Sequence, residues 1–167
     1  MKEQLEIERV FLLRSLPTMP NERDRLVIEQ GYFGSSDATR QGRIRLTIHR
    51  DGSCEHHANM KTGSGRVRQE REGSITPEEF ARDWPSTLGR RIRKIRRCVE
   101  DGALLWEIDE FLDFQLVMAE VELPSVEHPV SVPKWLAAEV IREVSDDSRY
   151  HNYALALHGP PIETGGR

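Results

Sequence analysis

Acidic residues recur two apart at Glu6/Glu8, Glu70/Glu72, Glu107/Asp109 and Glu120/Glu122. In a β-strand, residues i and i+2 share a face and lie roughly 7 Å apart. Leu5, Ile7 and Phe11 alternate with the first pair, so one face is apolar and the other carries carboxylates. Cations repeat the same spacing: Arg43/Arg45 and Lys94/Arg96, with Lys61 and Arg68 also at alternating strand positions. Hard carboxylate oxygens favour Mg²⁺ or Mn²⁺, and guanidinium forks favour phosphate. Acids and bases interleaved on one sheet face therefore suit a polyanion bound together with divalent cations. A solvated strand explains any single pair. Repetition opposite apolar residues demands a core on one side and partners for the charges on the other.

Other chemistry-bearing residues carry less. The run Arg90-Arg91-Ile92-Arg93-Lys94-Ile95-Arg96-Arg97 lacks aromatic interleaving and a reader motif, and the sequence pI is about 5.9, so no nucleic-acid partner is expected. His56 and His57 are adjacent, which on a strand sends them to opposite faces, and they read as surface histidines. Trp84, Trp106 and Trp135 read as core or helix-packing residues. Cys54 and Cys98 have no CxxC spacing and suit a reducing compartment.

Eight strands are expected to position these groups: residues 5–12, 26–33, 43–50, 53–61, 66–72, 94–99, 104–111 and 115–123. Asp51-Gly52 marks a hairpin. Lys94–Val99 is read as strand with a short helical lead-in. Thr76, Pro77 and Glu79 form a helix start with cap and capping box, running to about Trp84. Pro133 opens a second helix to Val144. The expected class is α+β, mainly β: a closed eight-stranded antiparallel barrel tunnel with helices packed outside. Residues 1–158 form a single domain, and 159–167 a flexible tail.

The 167 residues carry a formal net charge of −4. No apolar leader begins the chain, and no run approaches the roughly 18 apolar residues of a membrane span. A cytoplasmic protein without a membrane partner is expected, with a homodimer as the assembly to test.

Several segments occur in one order: Glu6-Ile7-Glu8-Arg9, Ile28-Glu29-Gln30-Gly31-Tyr32, Arg43-Ile44-Arg45, Trp106-Glu107-Ile108-Asp109-Glu110-Phe111 and Ala119-Glu120-Val121-Glu122-Leu123. Pro133-Lys134-Trp135-Leu136, Glu139-Val140 and Arg149-Tyr150-His151-Asn152 follow. Over about residues 4–157 this resembles the CYTH superfamily, the triphosphate tunnel metalloenzymes, in its compact bacterial form. The resemblance implies a metal-dependent triphosphatase acting on inorganic triphosphate or a related compound. It implies that Arg43, Arg45, Lys61, Lys94 and Arg96 bind the substrate. Glu6, Glu8, Glu70, Glu72, Asp109, Glu120 and Glu122 would hold Mg²⁺ or Mn²⁺, directly or through water. Glu6, Glu8 and Tyr32 would serve catalysis, Tyr32 by orienting the lysine of the family signature E-x-E-x-K. Here that lysine position is Val10. Two alternatives stay open: a protein that binds a triphosphate or nucleotide with little or no hydrolysis, and, ranked lower, a nucleotide cyclase-type lyase.

Overall fold

The computed structural model describes residues 7–34, 40–62 and 69–163, without the side chains of 40–41, 61–62 and 69–71. Glu6 and Arg68, and the side chains of Lys61 and Glu70, therefore lie outside the described residues. Nine strands follow one another: β1 (Ile7–Leu13), β2 (Glu22–Tyr32), β3 (Arg40–Ile48), β4 (Cys54–Thr62), β5 (Gln69–Ser74), β6 (Arg91–Asp101), β7 (Leu104–Phe111), β8 (Val117–Leu123) and β9 (Val140–Glu143). Among the described residues three short α-helices accompany them: α1 (Pro77–Asp83), α2 (Lys134–Ala137) and α3 (Asn152–His158).

The strands form one antiparallel sheet in the order β5-β4-β3-β2-β6-β7-β8-β1-β9, and it is open. This corrects the expected closed eight-stranded barrel. Strand count permits closure, but closure requires the two outermost strands to pair. Here the outermost strands are short and carry charged residues, Gln-Glu-Arg-Glu-Gly-Ser and Val-Ile-Arg-Glu, which is how proteins blunt an edge. The ninth strand comes from the segment read as the end of the second helix. That helix stops after one turn, because Val140, Arg142 and Glu143 pair along β1 instead, with β-branched Ile141 at a register shift between them. Val144 N–H donates to the Val10 carbonyl at 2.8 Å, continuing the attachment. Arg9 clamps it, its Nε and Nη2 donating to the two Glu143 carboxylate oxygens at 2.7 and 2.6 Å. That fork holds the Glu143 carboxyl below the usual carboxylate range.

Other expectations hold. Thr76 caps α1, its hydroxyl accepting from Glu79 N–H while the Glu79 carboxylate accepts from Thr76 N–H. Asp51-Gly52 closes the β3–β4 hairpin, with Gly52 at φ +86°, a conformation that favours glycine. The helical lead-in to β6 is absent, as the strand already begins at Arg91. A 3₁₀ turn, Trp84–Thr87, ends α1's segment instead. α3, unforeseen in the sequence, lies near the C-terminal end.

The chain divides into two compact units: residues 1–25 with 95–148, and 26–94 with 149–167. The core of the first consists of Phe11 and Leu13 from β1, Trp106 and Ile108 from β7, Ala119, Val121 and Leu123 from β8, and Leu136 from α2. The core of the second gathers Phe33, Ile44, Ala58, Met60 and Phe80, with Trp84 stacked on Phe80 at 5.0 Å. Among the described residues no helix is long and apolar enough to cross a membrane.

Trp106 is fully buried, yet its indole Nε1 has no hydrogen-bond partner among the described residues. Its contribution is therefore packing, and the unpaired N–H subtracts about 1–3 kcal/mol from it. Trp106→Ala is expected to cost about 3–5 kcal/mol. Trp106→Phe, which removes the orphaned donor along with some volume, should cost much less. Urea denaturation of the two variants checks the ordering.

Candidate functional site

In the first unit, alternation sorts the side chains. Because Phe11, Leu13, Trp106, Ile108, Ala119, Val121 and Leu123 enter the core, the intervening residues must take the opposite face. These are Glu8, Val10 and Leu12 on β1, Glu107 and Asp109 on β7, and Met118, Glu120 and Glu122 on β8. Strand register brings them together: Glu8 pairs with Glu122, Val10 with Glu120, and Glu107 with Glu120. Directly opposed like charges destabilise a sheet, so this face needs a cation.

Arg96, on β6, supplies one. Its Nε and Nη2 donate to the two oxygens of Asp109 at 2.7 and 2.8 Å, a bidentate fork. Its Nη1 lies 2.5 Å from Glu107 Oε2, and its Nη2 lies 3.5 Å from Glu120 Oε2. Asp109 is 1% exposed and Arg96 9%. Burial works against the Arg96 charge, but Asp109, Glu107 and Glu120 outweigh it and hold the guanidinium pKa above its ordinary value. Three carboxylates around one guanidinium leave the cluster negative, which attracts further cations. The neighbouring Cys98 thiol is pushed up to about 11, first by burial and then by Glu107, with Arg96 opposing. It stays a thiol at neutral pH.

Arg96 was expected on phosphate and Asp109 on metal; the structure joins them to each other. Glu8, Glu120 and Glu122 share the face, Glu120 beside Arg96 and Glu8 across from Glu122. Glu107 touches Arg96 as well, although sequence reasoning recognised its pair without assigning it a role. Among the described residues no three acidic, histidine or cysteine side chains already converge into a metal-holding group.

The second unit holds the expected phosphate-binding residues. On β2 and β3, Tyr32 pairs with Arg43, and Gln30 with Arg45. The Tyr32 phenol oxygen accepts from Gln30 Nε2 at 2.5 Å, with Arg43 as its cross-strand neighbour. Arg45 Nε donates to Gln30 Oε1 at 2.6 Å. Burial raises the Tyr32 pKa, and the Arg43 charge opposes that rise without cancelling it. The Tyr32 ring meets Tyr153 of α3 edge-on at 5.2 Å. Between Gln30 and Tyr32, glycine is required, because a Cβ on Gly31 would come within 2.4 Å of Thr87 Oγ1. Lys94 is fully buried, with Nζ 3.4 Å from Asn152 Oδ1 of α3. Glu72 is exposed on β5, with Asn59 as its backbone partner. Gln30 and Asn152 escaped the sequence reading. Gln30 carried a signal, since it shares strand parity with Tyr32 two residues on.

No protein-family model matches the chain. An inorganic triphosphatase of Nitrosomonas europaea is 35% identical over 161 residues, covering 93% of this chain and 99% of that protein. An inorganic triphosphatase of Acetivibrio thermocellus is 40% identical over 155 residues, covering 90% and 92%. The chain belongs to the inorganic triphosphatase family. A crystal structure of an inorganic triphosphatase superposes with a TM-score of 0.69 at 31% identity, covering 95% of this chain and 98% of the other. The family therefore spans both compact units, the carboxylate face around Arg96 and the Tyr32–Gln30–Arg45 network alike.

The Arg96–Asp109 pair should govern stability as well as site geometry. Arg96→Leu leaves Asp109 buried without its cation, at an expected cost of about 3–5 kcal/mol near neutrality. Desolvation then raises the folded-state pKa of Asp109 in the variant above its unfolded value of about 3.9. A raised carboxyl pKa means that the folded variant binds more protons than the unfolded, so its stability falls as pH rises and recovers toward acid. Urea denaturation at about pH 4.5 and 7.5 should show the gap to wild type narrowing at the lower pH.

Proposed function

We propose that the chain is a divalent-metal-dependent hydrolase that cleaves inorganic triphosphate to pyrophosphate and phosphate. The observation that carries this reading is the Arg96-centred carboxylate face, in a chain related over nearly its whole length to inorganic triphosphatases.

The donor set fits a hard cation. Glu8, Glu120 and Glu122 offer carboxylate oxygens only, and the nearby Cys98 keeps its proton rather than acting as a soft thiolate. These glutamates would hold Mg²⁺ or Mn²⁺, with Glu6 as a further candidate. When bound, such an ion supplies Lewis-acid polarisation of a phosphoryl oxygen and lowers the pKa of a bound water. Asp109 acts through Arg96, fixing the guanidinium plane by its bidentate grip. Arg43, Arg45 and Lys94 neutralise phosphate charge, with Lys61 as a further candidate. Water attacks the terminal phosphorus in line, the bond to the bridging oxygen breaks, and pyrophosphate leaves. The free cysteines Cys54 and Cys98 support a reducing, cytoplasmic setting for this reaction.

Val10 favours a second reading, retention of triphosphate with little cleavage. Its side chain takes the same face as Glu120, its cross-strand partner, where the E-x-E-x-K signature places a cation. Losing one charge-assisted hydrogen bond forfeits about 1.5–3 kcal/mol, and it falls on rate if the bond forms mainly in the transition state.

A product-resolved assay of triphosphate, ATP, GTP and thiamine triphosphate with Mg²⁺, Mn²⁺ or chelator separates the readings. The expected result is phosphate and pyrophosphate from triphosphate, abolished by chelation and reduced by Glu120→Gln. Val10→Lys should raise kcat roughly 10- to 150-fold. No turnover by the native chain with any metal, beside an active Val10→Lys variant and tight binding of intact triphosphate, would establish retention instead.

A further inference from the structure

Gln30 is fully buried and hydrogen-bonds both Tyr32 and Arg45, of which Arg45 serves the proposed reaction. The direction of its amide follows from chemistry. A guanidinium has only protons to give, so the Gln30 oxygen must face Arg45 Nε, 2.6 Å away. The Gln30 NH₂ is thereby turned to Tyr32 Oη, at 2.5 Å. Arg43, the cross-strand neighbour of that phenol, is also donor-only. A phenol oxygen has two acceptor sites and one proton. Gln30 fills one acceptor site, and neither its NH₂ nor the Arg43 guanidinium can accept, so the Tyr32 O–H proton must be delivered to a third group. Arg43 and Arg45 put positive charge on the same strand face, which selects an anionic oxygen as that group.

We infer that Gln30 is a positioning residue that turns Tyr32 into a hydrogen-bond donor to a phosphate oxygen of the bound triphosphate. The inference rests on the triphosphatase reading and deepens it. Tyr32 keeps its proton throughout, and no covalent step is assigned to it. Its hydrogen bond strengthens as charge is redistributed over the phosphoryl oxygens in the transition state. Gln30 also ties Arg45 to the same geometry, so one buried amide sets both a neutral donor and a cation. This assigns Tyr32 a partner on the substrate, a role that does not depend on a lysine at position 10.

Gln30→Glu tests the assignment. A carboxylate at position 30 still accepts from Arg45 but cannot donate to Tyr32, so the phenol proton turns inward to it and away from substrate. The expected result is a fall in kcat of roughly 10- to 150-fold with little change in KM, matching Tyr32→Phe. The double variant should lose no more than either single one, since both remove the same hydrogen bond. Gln30→Met, close in volume, repeats the cycle should the glutamate variant fail to fold, and it should additionally raise KM by releasing Arg45. Circular dichroism establishes folding, and calorimetric titration with inorganic triphosphate in chelator reads binding apart from turnover. Wild-type activity with additive effects, or with an unimpaired Tyr32→Phe, overturns the inference and leaves the triphosphatase reading standing. A wild-type protein that neither binds nor cleaves triphosphate overturns both.

Discussion

Sharing one guanidinium among Asp109, Glu107 and Glu120 is the constraint on which the first unit depends. Without it, β7 and β8 would set Glu107 directly against Glu120 with only like charge between them. Arg96 makes that register tolerable. It does not neutralise the cluster, and the surplus negative charge gives the face an affinity for cations that an ordinary structural ion pair lacks. Its nearly complete burial has a second effect. In a poorly solvated surrounding the guanidinium cannot drift toward water, so its plane is fixed by Asp109 before any ligand arrives.

The second unit solves a related problem with neutral groups. Arg43 and Arg45 sit two residues apart on one strand face, where their charges repel. Each faces a neutral cross-strand partner, Tyr32 or Gln30, and Gln30 accepts a hydrogen bond from Arg45 without cancelling its charge. A carboxylate there would neutralise the cations. Amide and phenol cancel none of that charge themselves, which suits a phosphate ligand.

Much of this was legible in the residues. Alternation placed Ile44 in a core and Arg43 with Arg45 on the other face, and the acidic pairs on β7 and β8 share the face their spacing implied. The Thr76 cap and the Asp51-Gly52 turn were read from local chemistry, and local chemistry determined them. The errors arose where long-range pairing decides. Helical spacing in Trp135-Leu136 through Ile141 was overridden by the open edge of β1, which drew Val140–Glu143 into the sheet. Barrel closure depended on what the outermost strands pair with, which counting strands does not reveal. Arg96 and Asp109 were each identified, but nothing in their spacing showed that they would pair with one another.

The placement of β1 has a consequence for how the chain is assembled. β1 precedes the other described strands, yet its partners are β8 and β9, and Val10 bonds to Ser145 across a separation of 135 residues. The β2–β3–β4–β5 meander, by contrast, joins sequence neighbours through hairpins. During synthesis the meander can pair as it emerges, while β1 must wait, with Phe11, Leu12 and Leu13 uncovered, until β8 is available. Non-local pairing of this kind is slow and exposes apolar surface. The strand bearing Glu8 and Val10 therefore joins the sheet through a long-range pairing, and the acidic face gains Glu8 only once β8 has been made.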